Sequence, residues 1–383
     1  MTEAPAWHRF RALADHAVRG DPAGRPWRDA LARLFEAASR GLGHLGAAEL
    51  AGPAGALPEH LIGTIDQRFM LPRQAAAWRQ VRRFYTQRHH QRLELADDAT
   101  IRAGLDAILP HRPDPSGIDN AHQRLAVAGL VDAACGVLTG GPGTGKTATA
   151  ATLVALRSLL DPDLDAGAVL LAAPTGKAAN RLRQSLIAAA GHLHLNPAQQ
   201  ALLDDLHPVT LHRALGWSPI PPERGGPFRH HAAHLLPQRL IIVDEASMAD
   251  VELMAALSAA VAPDSALILL GDRDQLESVE AGGVLAEMVL RGASGQLTPA
   301  AAATLTRRCD HDARTWREAL DDGHQHQALP GLAYGLGHSW RARSAPWILE
   351  LAALVRPNQR LFDLARVPGL KEALGERYDG VNW

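Results

Sequence analysis

The octapeptide Gly140-Gly-Pro-Gly-Thr-Gly-Lys-Thr147 constrains this chain more than any other stretch. It fits the phosphate-loop pattern G-x-x-x-x-G-K-[ST] and stands between an apolar run and an Ala-rich helical stretch. The chemistry needs that setting. A strand delivers the loop, glycines let successive N–H groups curve around an anion, and the following helix adds its positive end. Gly140, Gly141, Pro142, Gly143, Thr144 and Gly145 are therefore expected to cradle phosphates. Lys146 neutralises the β and γ phosphates, and the Thr147 hydroxyl holds Mg²⁺. A nucleoside triphosphate is the expected ligand.

Four short apolar segments surround this loop in sequence: 134–139, 168–173, 240–243 and 266–270. Each is nearly continuous in Val, Ile, Leu and Ala, as strands covered on both faces are. Helical stretches such as 147–160 and 176–190 separate them, which implies an α/β lobe with a parallel sheet over residues 118–292. Residues 1–117 read as a mostly helical N-terminal domain, with a Pro-rich linker at 111–117. After residue 292, helices are expected over 298–308, 313–321 and 346–355, with no further parallel strand.

Composition narrows the class. The 383 residues are 46% hydrophobic and carry a formal net charge of −2, so global charge does not announce a polyanion binder. No apolar run approaches the roughly 18 residues of a membrane span, and no leader pattern opens the chain. A cytoplasmic enzyme without a membrane partner is expected. The two cysteines, Cys135 and Cys309, are too few for a disulfide framework, and Cys135 reads as a buried thiol. Lys146, Lys177 and Lys371 are the only lysines, and two of them fall in motifs where a compact charge on a flexible stem is hard to replace by a planar guanidinium. The stretch 67–93 holds seven arginines, no acid and four aromatics, a composition that suits either a phosphate-binding face or an ordinary helix turned to its own core.

Further motifs turn a nucleotide site toward hydrolysis. Leu240-Ile-Ile-Val-Asp-Glu245 is an apolar strand ending in two acids, where Asp244 can hold the Mg²⁺ water shell and Glu245 can deprotonate the attacking water. Gln275, in Gly271-Asp-Arg-Asp-Gln275, can donate its amide to the γ-phosphate and sense it. Gln123, upstream of the loop, can read the adenine edge of ATP.

Taken with Ala173-Pro-Thr-Gly-Lys-Ala-Ala-Asn-Arg181 and Thr210-Leu-His-Arg-Ala-Leu-Gly216, these motifs resemble the RecD family. That family comprises the alpha subunits of bacterial exonuclease V, which are superfamily 1 DNA helicases. The resemblance implies a RecA-like P-loop NTPase lobe, with Thr175, Lys177, Thr210 and His212 on the single-strand backbone. It also implies 5′-to-3′ movement, RecB-like and RecC-like partner subunits docked on residues 1–117, and a role in double-strand break repair by recombination. Arg341, in Gly337-His-Ser-Trp-Arg-Ala342, resembles the arginine that a second motor lobe supplies to the γ-phosphate.

A complete second lobe needs on the order of ~150 residues. With 42 residues after Arg341 (383 − 341), segment 293–383 is expected to hold a helical stretch and an incomplete second lobe, truncated or diverged. Nucleotide binding should then survive better than turnover, because losing an arginine finger costs roughly 10³–10⁵ in rate while the loop still binds. The alternative is a nucleotide-binding lobe that docks on partners without unwinding DNA. A stand-alone superfamily 1 helicase is a third, less favoured reading. His230 and His234 are four residues apart but lack an accompanying acid, so no metal is expected there, and any DNA cleavage is assigned to a partner.

Overall fold

The computed structural model describes residues 5–39, 44–52, 58–66, 68–111, 120–219, 227–272, 284–293, 299–309, 329 and 331–336. The N-terminal segment carries α1 (Pro5–Ala17), α2 (Arg28–Ser39) and the single turn α3 (Ala47–Leu50). A small antiparallel hairpin of β1 (Gly63–Ile65) and β2 (Arg68–Met70) follows, then α4 (Pro72–Arg88) and α5 (Asp98–Ile108). The middle of the chain alternates α6 (Ala121–Leu130), β3 (Cys135–Gly140), α7 (Lys146–Leu160), β4 (Val169–Ala173), α8 (Gly176–Ala190) and α9 (Pro197–Asp205). It continues through β5 (Val209–Thr210), α10 (Leu211–Ala214), β6 (Leu240–Val243), α11 (Val251–Ala260) and β7 (Ala266–Gly271). Last come α12 (Val284–Ala293), α13 (Pro299–Cys309) and β8 (Ala333–Leu336).

Local chemistry sets the helix starts. Asp97, Thr175, Asn196 and Asp250 each accept a hydrogen bond from a first-turn amide, which satisfies a donor the helix itself leaves orphaned. At α9 the bond is returned: Gln199 accepts from the Asn196 N–H at 2.9 Å, and Pro197 sits in the first turn without loss.

Six strands form one parallel sheet in the order β5-β4-β6-β7-β3-β8. β6 and β7 are buried along their whole length, as continuous apolar runs covered on both sides should be. Side chains alternate between two cores with the period of a strand. Leu240, Ile242, Ile268 and Leu270 face the layer of α5, α6, α7, α8, α9 and α13, whereas Ile241, Val243, Leu267 and Leu269 face α4, α11 and α12. A third core joins α1, α2 and α3 around Leu31, Leu34 and Ile62.

Two helices of the N-terminal segment belong to the packing of this sheet. Trp78 and Tyr85 of α4 enter one core, and Ile101 and Leu105 of α5 enter the other. The arginine-rich stretch contributes to the same attachment. Arg82 pairs with Glu287 at 2.8 Å, and the Tyr85 hydroxyl donates to the same carboxylate at 2.9 Å. Arg88 donates to the carbonyls of Ala262 (3.0 Å) and Ser265, and Arg92 to that of Gly129 at 2.7 Å. These guanidinium groups tie the helix to its own core.

The four expected strands are present to within a residue, and helices 147–160 and 176–190 appear as α7 and α8. The stretch expected to be helical at 298–308 is α13, while 313–321 and 346–355 lie outside the described residues. One expectation is corrected. A parallel strand does exist after residue 292: β8 pairs with β3, Val137 opposite Ala333 and Gly140 opposite Leu336. Ala333-Tyr-Gly-Leu336 has no β-branched residue and is too short to show a period, so its register comes from long-range packing. Tyr334 lies over Gly129 of α6, where an added Cβ would come within 2.1 Å of the hydroxyl. No described helix is long and apolar enough to cross a membrane.

Candidate functional site

Because all six strands run parallel, the loops that leave their carboxyl ends gather along one edge, the usual place for a ligand in an open α/β sheet. The phosphate loop leaves β3, the Asp244-Glu245 pair leaves the adjoining β6/β7 half, and Thr175 and Thr210 leave β4 and β5.

The loop is shaped by its glycines. Gly143 and Gly145 have φ of 75° and 94°, a region that a Cβ makes costly. At Gly140 the constraint is space: a Cβ would sit 2.6 Å from Thr144 Oγ1 and 3.0 Å from the Leu336 carbonyl oxygen. The strand missed in the sequence thus forms one wall of the loop found in it. Thr144 donates to the Gly141 carbonyl at 2.9 Å, which closes the turn. Lys146, the first residue of α7, donates to the carbonyls of Gly140 (2.5 Å) and Gly141 (3.1 Å). Those are neutral acceptors, and a phosphate oxygen is a stronger partner for an ammonium. Thr147 follows in the first turn of α7, half-buried.

Across the sheet edge, burial pushes the Asp244 carboxyl above the usual range, while the Glu245 N–H at 2.9 Å and the charges of Lys146 and Arg181 pull against that shift. Asp244 and Lys146 are therefore near enough to feel each other. Glu245 adopts φ of 50°, rare for a residue with a side chain, and its buried Oε2 has no hydrogen-bond partner. Ser247 Oγ is likewise buried and unpartnered. Unsatisfied buried oxygens are uncommon and point to a missing ion, water or ligand. Two carboxylates at a strand end, one of them feeling an ammonium, suit a magnesium nucleotide beside a loop that ends in a threonine, so the residues present fit that group.

Thr175, Lys177, Thr210 and His212 lie together at the other half of the edge, since Ala173 and Thr210 are register partners on β4 and β5. Thr175 Oγ1 accepts from the Ala178 N–H and Thr210 Oγ1 from the Arg213 N–H, both at 3.2 Å. Capping uses a lone pair and leaves each hydroxyl proton available to a phosphate. Lys177 and His212 are both exposed.

Gln123 is buried in the first turn of α6, the helix that leads into β3. Asp272, at the end of β7, is buried, whereas Gln275 and Arg341 lie outside the described residues. Arg181 and Ser247 were given no role in the sequence reading. Arg181 lies one helical turn beyond Lys177 on α8, a spacing that puts both on one face, but its reach to Asp244 depends on how α8 packs. Nothing in the sequence marked the burial of Ser247. His230 and His234 place their Nδ1 atoms 3.2 Å apart, and among the described residues no group of three or more ligand side chains assembles to hold a metal. Cys135 is buried in β3, its thiol pushed up to about 12 by burial.

Residues 123–281 match the AAA_19 family, an AAA domain. Over 274 residues the chain is 40% identical to "RecBCD enzyme subunit RecD" of Mycolicibacterium smegmatis, covering 68% of this chain and 47% of that protein. The same subunit of Mycobacterium tuberculosis is 47% identical over 207 residues, 50% of this chain and 34% of that one. The "ATP-dependent RecD2 DNA helicase" of Deinococcus radiodurans is 42% identical over 146 residues, 38% of this chain and 16% of its own length. The chain thus spans less than half the length of these relatives.

Proposed function

We propose that this chain is a member of the RecD family of superfamily 1 helicases, an ATP-dependent motor subunit that moves 5′ to 3′ along a DNA strand. RecB-like and RecC-like subunits are its partners in this reading, and double-strand break repair its setting. The observation that supports it most is the pairing of a buried, unpartnered Glu245 oxygen with Asp244, a carboxylate that feels the charge of Lys146.

Each residue has a part in this reading. Gly140, Gly141, Pro142, Gly143, Thr144 and Gly145 turn backbone amides toward the phosphates, and Lys146 leaves its two carbonyl acceptors for the β and γ oxygens. Gln123 reads the adenine. Thr147 and Asp244 hold Mg²⁺, which when bound neutralises charge on the phosphates. Glu245 takes the proton of the attacking water, Gln275 senses the γ-phosphate, and Arg341 offsets charge that develops on it. Thr175, Lys177, Thr210 and His212 grip the strand through its backbone, without regard to sequence.

The test measures Mg-ATP binding by calorimetry and phosphate release with and without single-stranded DNA, alone and with the partner subunits. Strand-stimulated release supports a motor. Binding without any stimulation in either setting favours a nucleotide-binding lobe that docks but does not unwind.

A further inference from the structure

The edge of the sheet beyond Thr210 carries a feature that nucleotide chemistry does not use and that the backbone grip shares only at His212. Helix α10 ends in a left-handed Gly216 (φ 66°) with two reverse bonds, Gly216 N–H to Arg213 O at 3.0 Å and Trp217 N–H to His212 O at 2.9 Å. A Cβ at Gly216 would fall 2.8 Å from that of Arg229. The residues after the turn then pair with the returning chain: Ser218 N–H to Pro227 O, Arg229 N–H to Gly216 O and His230 N–H to Leu215 O. The backbone of Trp217 is thereby held from both sides, yet its side chain is 50% exposed.

A single exposed apolar residue is ordinary. This one has company. The His212 ring stands edge-on to Trp217 with centroids 6.3 Å apart, and the Phe228 ring is tilted against the same imidazole with centroids 6.1 Å apart, Phe228 being the bridge partner of Trp217. His212 and Phe228 also line a cavity of about 590 Å³, with room for a flat heterocycle. Its two acids are compensated, Asp250 by capping α11 and Glu252 by Arg73 at 3.0 Å. Beside the rings, Arg213 and Arg229 are exposed and form no ion pair among the described residues, so they give the rim cationic groups. Rigid aromatic faces inside a cationic rim suit a single strand, whose bases stack on π-faces while its phosphates meet cations.

We propose that Trp217, backed by His212 and Phe228, is a stacking platform for the bases of the nucleic acid strand that Thr175, Lys177 and Thr210 hold by its backbone. This rests on the strand-binding part of the proposed function and adds to it a contact with bases. A segment of a partner protein is the competing occupant. The continuity with Thr210 through β5 and α10, and the exposed guanidinium groups of Arg213 and Arg229, favour the strand.

The test uses the full chain with a fluorescein-labelled oligo(dT) and an abasic strand of equal length. Trp217→Ala should weaken oligo(dT) binding by roughly 10-fold or more, as loss of one base–aromatic stack does, and leave the already weaker abasic strand almost unchanged. Trp217→Phe should restore most of the loss, and Mg-ATP binding should be the same in all three proteins. If Trp217→Ala binds oligo(dT) like the parent while Lys177→Ala does not, the platform is wrong and the backbone grip stands. If the parent binds neither strand, the strand reading fails and takes the platform with it. If Trp217→Ala leaves strand binding intact but loosens a partner subunit, the ring is a protein contact and the proposal is overturned.

Discussion

The two halves of the sheet edge are built on opposite principles. Around β3 and β6 the side chains are desolvated and left with unmet demands: Asp244 is held toward its neutral form, and Glu245 and Ser247 have buried oxygens without partners. Around β4 and β5 the candidate side chains are exposed or half-exposed, and the threonines already cap helices. A small, highly charged ligand needs fixed groups whose own solvation has been removed beforehand. A long polymer held at many points needs accessible donors that tolerate any sequence. The contrast predicts sharp, all-or-none mutational effects on one half and graded effects on the other.

The largest effect is expected at Glu245. Glu245→Gln should leave Mg-ATP binding nearly intact but slow strand-stimulated phosphate release by roughly 10²–10⁴-fold, the usual contribution of a general base. A comparison of binding isotherms with turnover separates the two, and equal loss of both would break the assignment. Lys146→Ala should instead remove Mg-ATP binding itself, with turnover falling as a consequence. On the other half, Lys177→Ala should weaken strand binding several-fold, with an effect that shrinks as salt rises because one phosphate contact fewer releases one counterion fewer. A salt titration of fluorescence anisotropy reads the change in slope.

Thr175 sharpens the comparison, since it has two tasks. Thr175→Ala should lower stability by about 1 kcal/mol through the lost helix cap, besides weakening the strand grip. Thr175→Asn, which can cap, should recover the stability in urea melts. The smallest effect is a pH dependence. Burial raises the Asp244 pKa in the folded chain above the ordinary carboxylate value of 3.8. Below 3.8 both folded and unfolded chains carry it protonated, so it has no effect there. As pH climbs through the raised folded value, the carboxylate must ionise where it is poorly solvated, and the ligand-free protein loses stability. Asp244→Asn should remove that loss, giving a higher Tm than the parent near pH 7 and the same Tm near pH 3, together with weakened Mg-ATP binding.

How far the site was legible follows from how local each cause is. The turn at Gly140–Thr147 is written in consecutive residues, and so are the strands whose burial on both faces forces an unbroken apolar run, such as Leu240–Val243. β8 was missed because Ala333–Leu336 has no composition of its own, and its place is fixed by β3 and by Tyr334 over Gly129. The arginine-rich stretch was ambiguous for the same reason. Whether Arg82 or Arg88 meets phosphate or protein depends on Glu287 and Ala262, which lie far along the chain. The exposure of Trp217 could not be read either, because an identical tryptophan beside a different return of the chain would be core.

Residue order alone specifies the phosphate loop, the alternation of strands and helices, and which residue types stand at each strand end. Those depend on backbone freedom at glycine, on side-chain periodicity and on helix capping, all of which act over a few residues. Long-range packing alone settles that Leu336 walls the loop, that Arg181 bears on Asp244, that one Glu245 carboxylate oxygen is buried without a partner, and that two rings meet the His212 imidazole. Desolvation and charge–charge influence depend on what stands nearby in space, and no run of neighbouring residues fixes that.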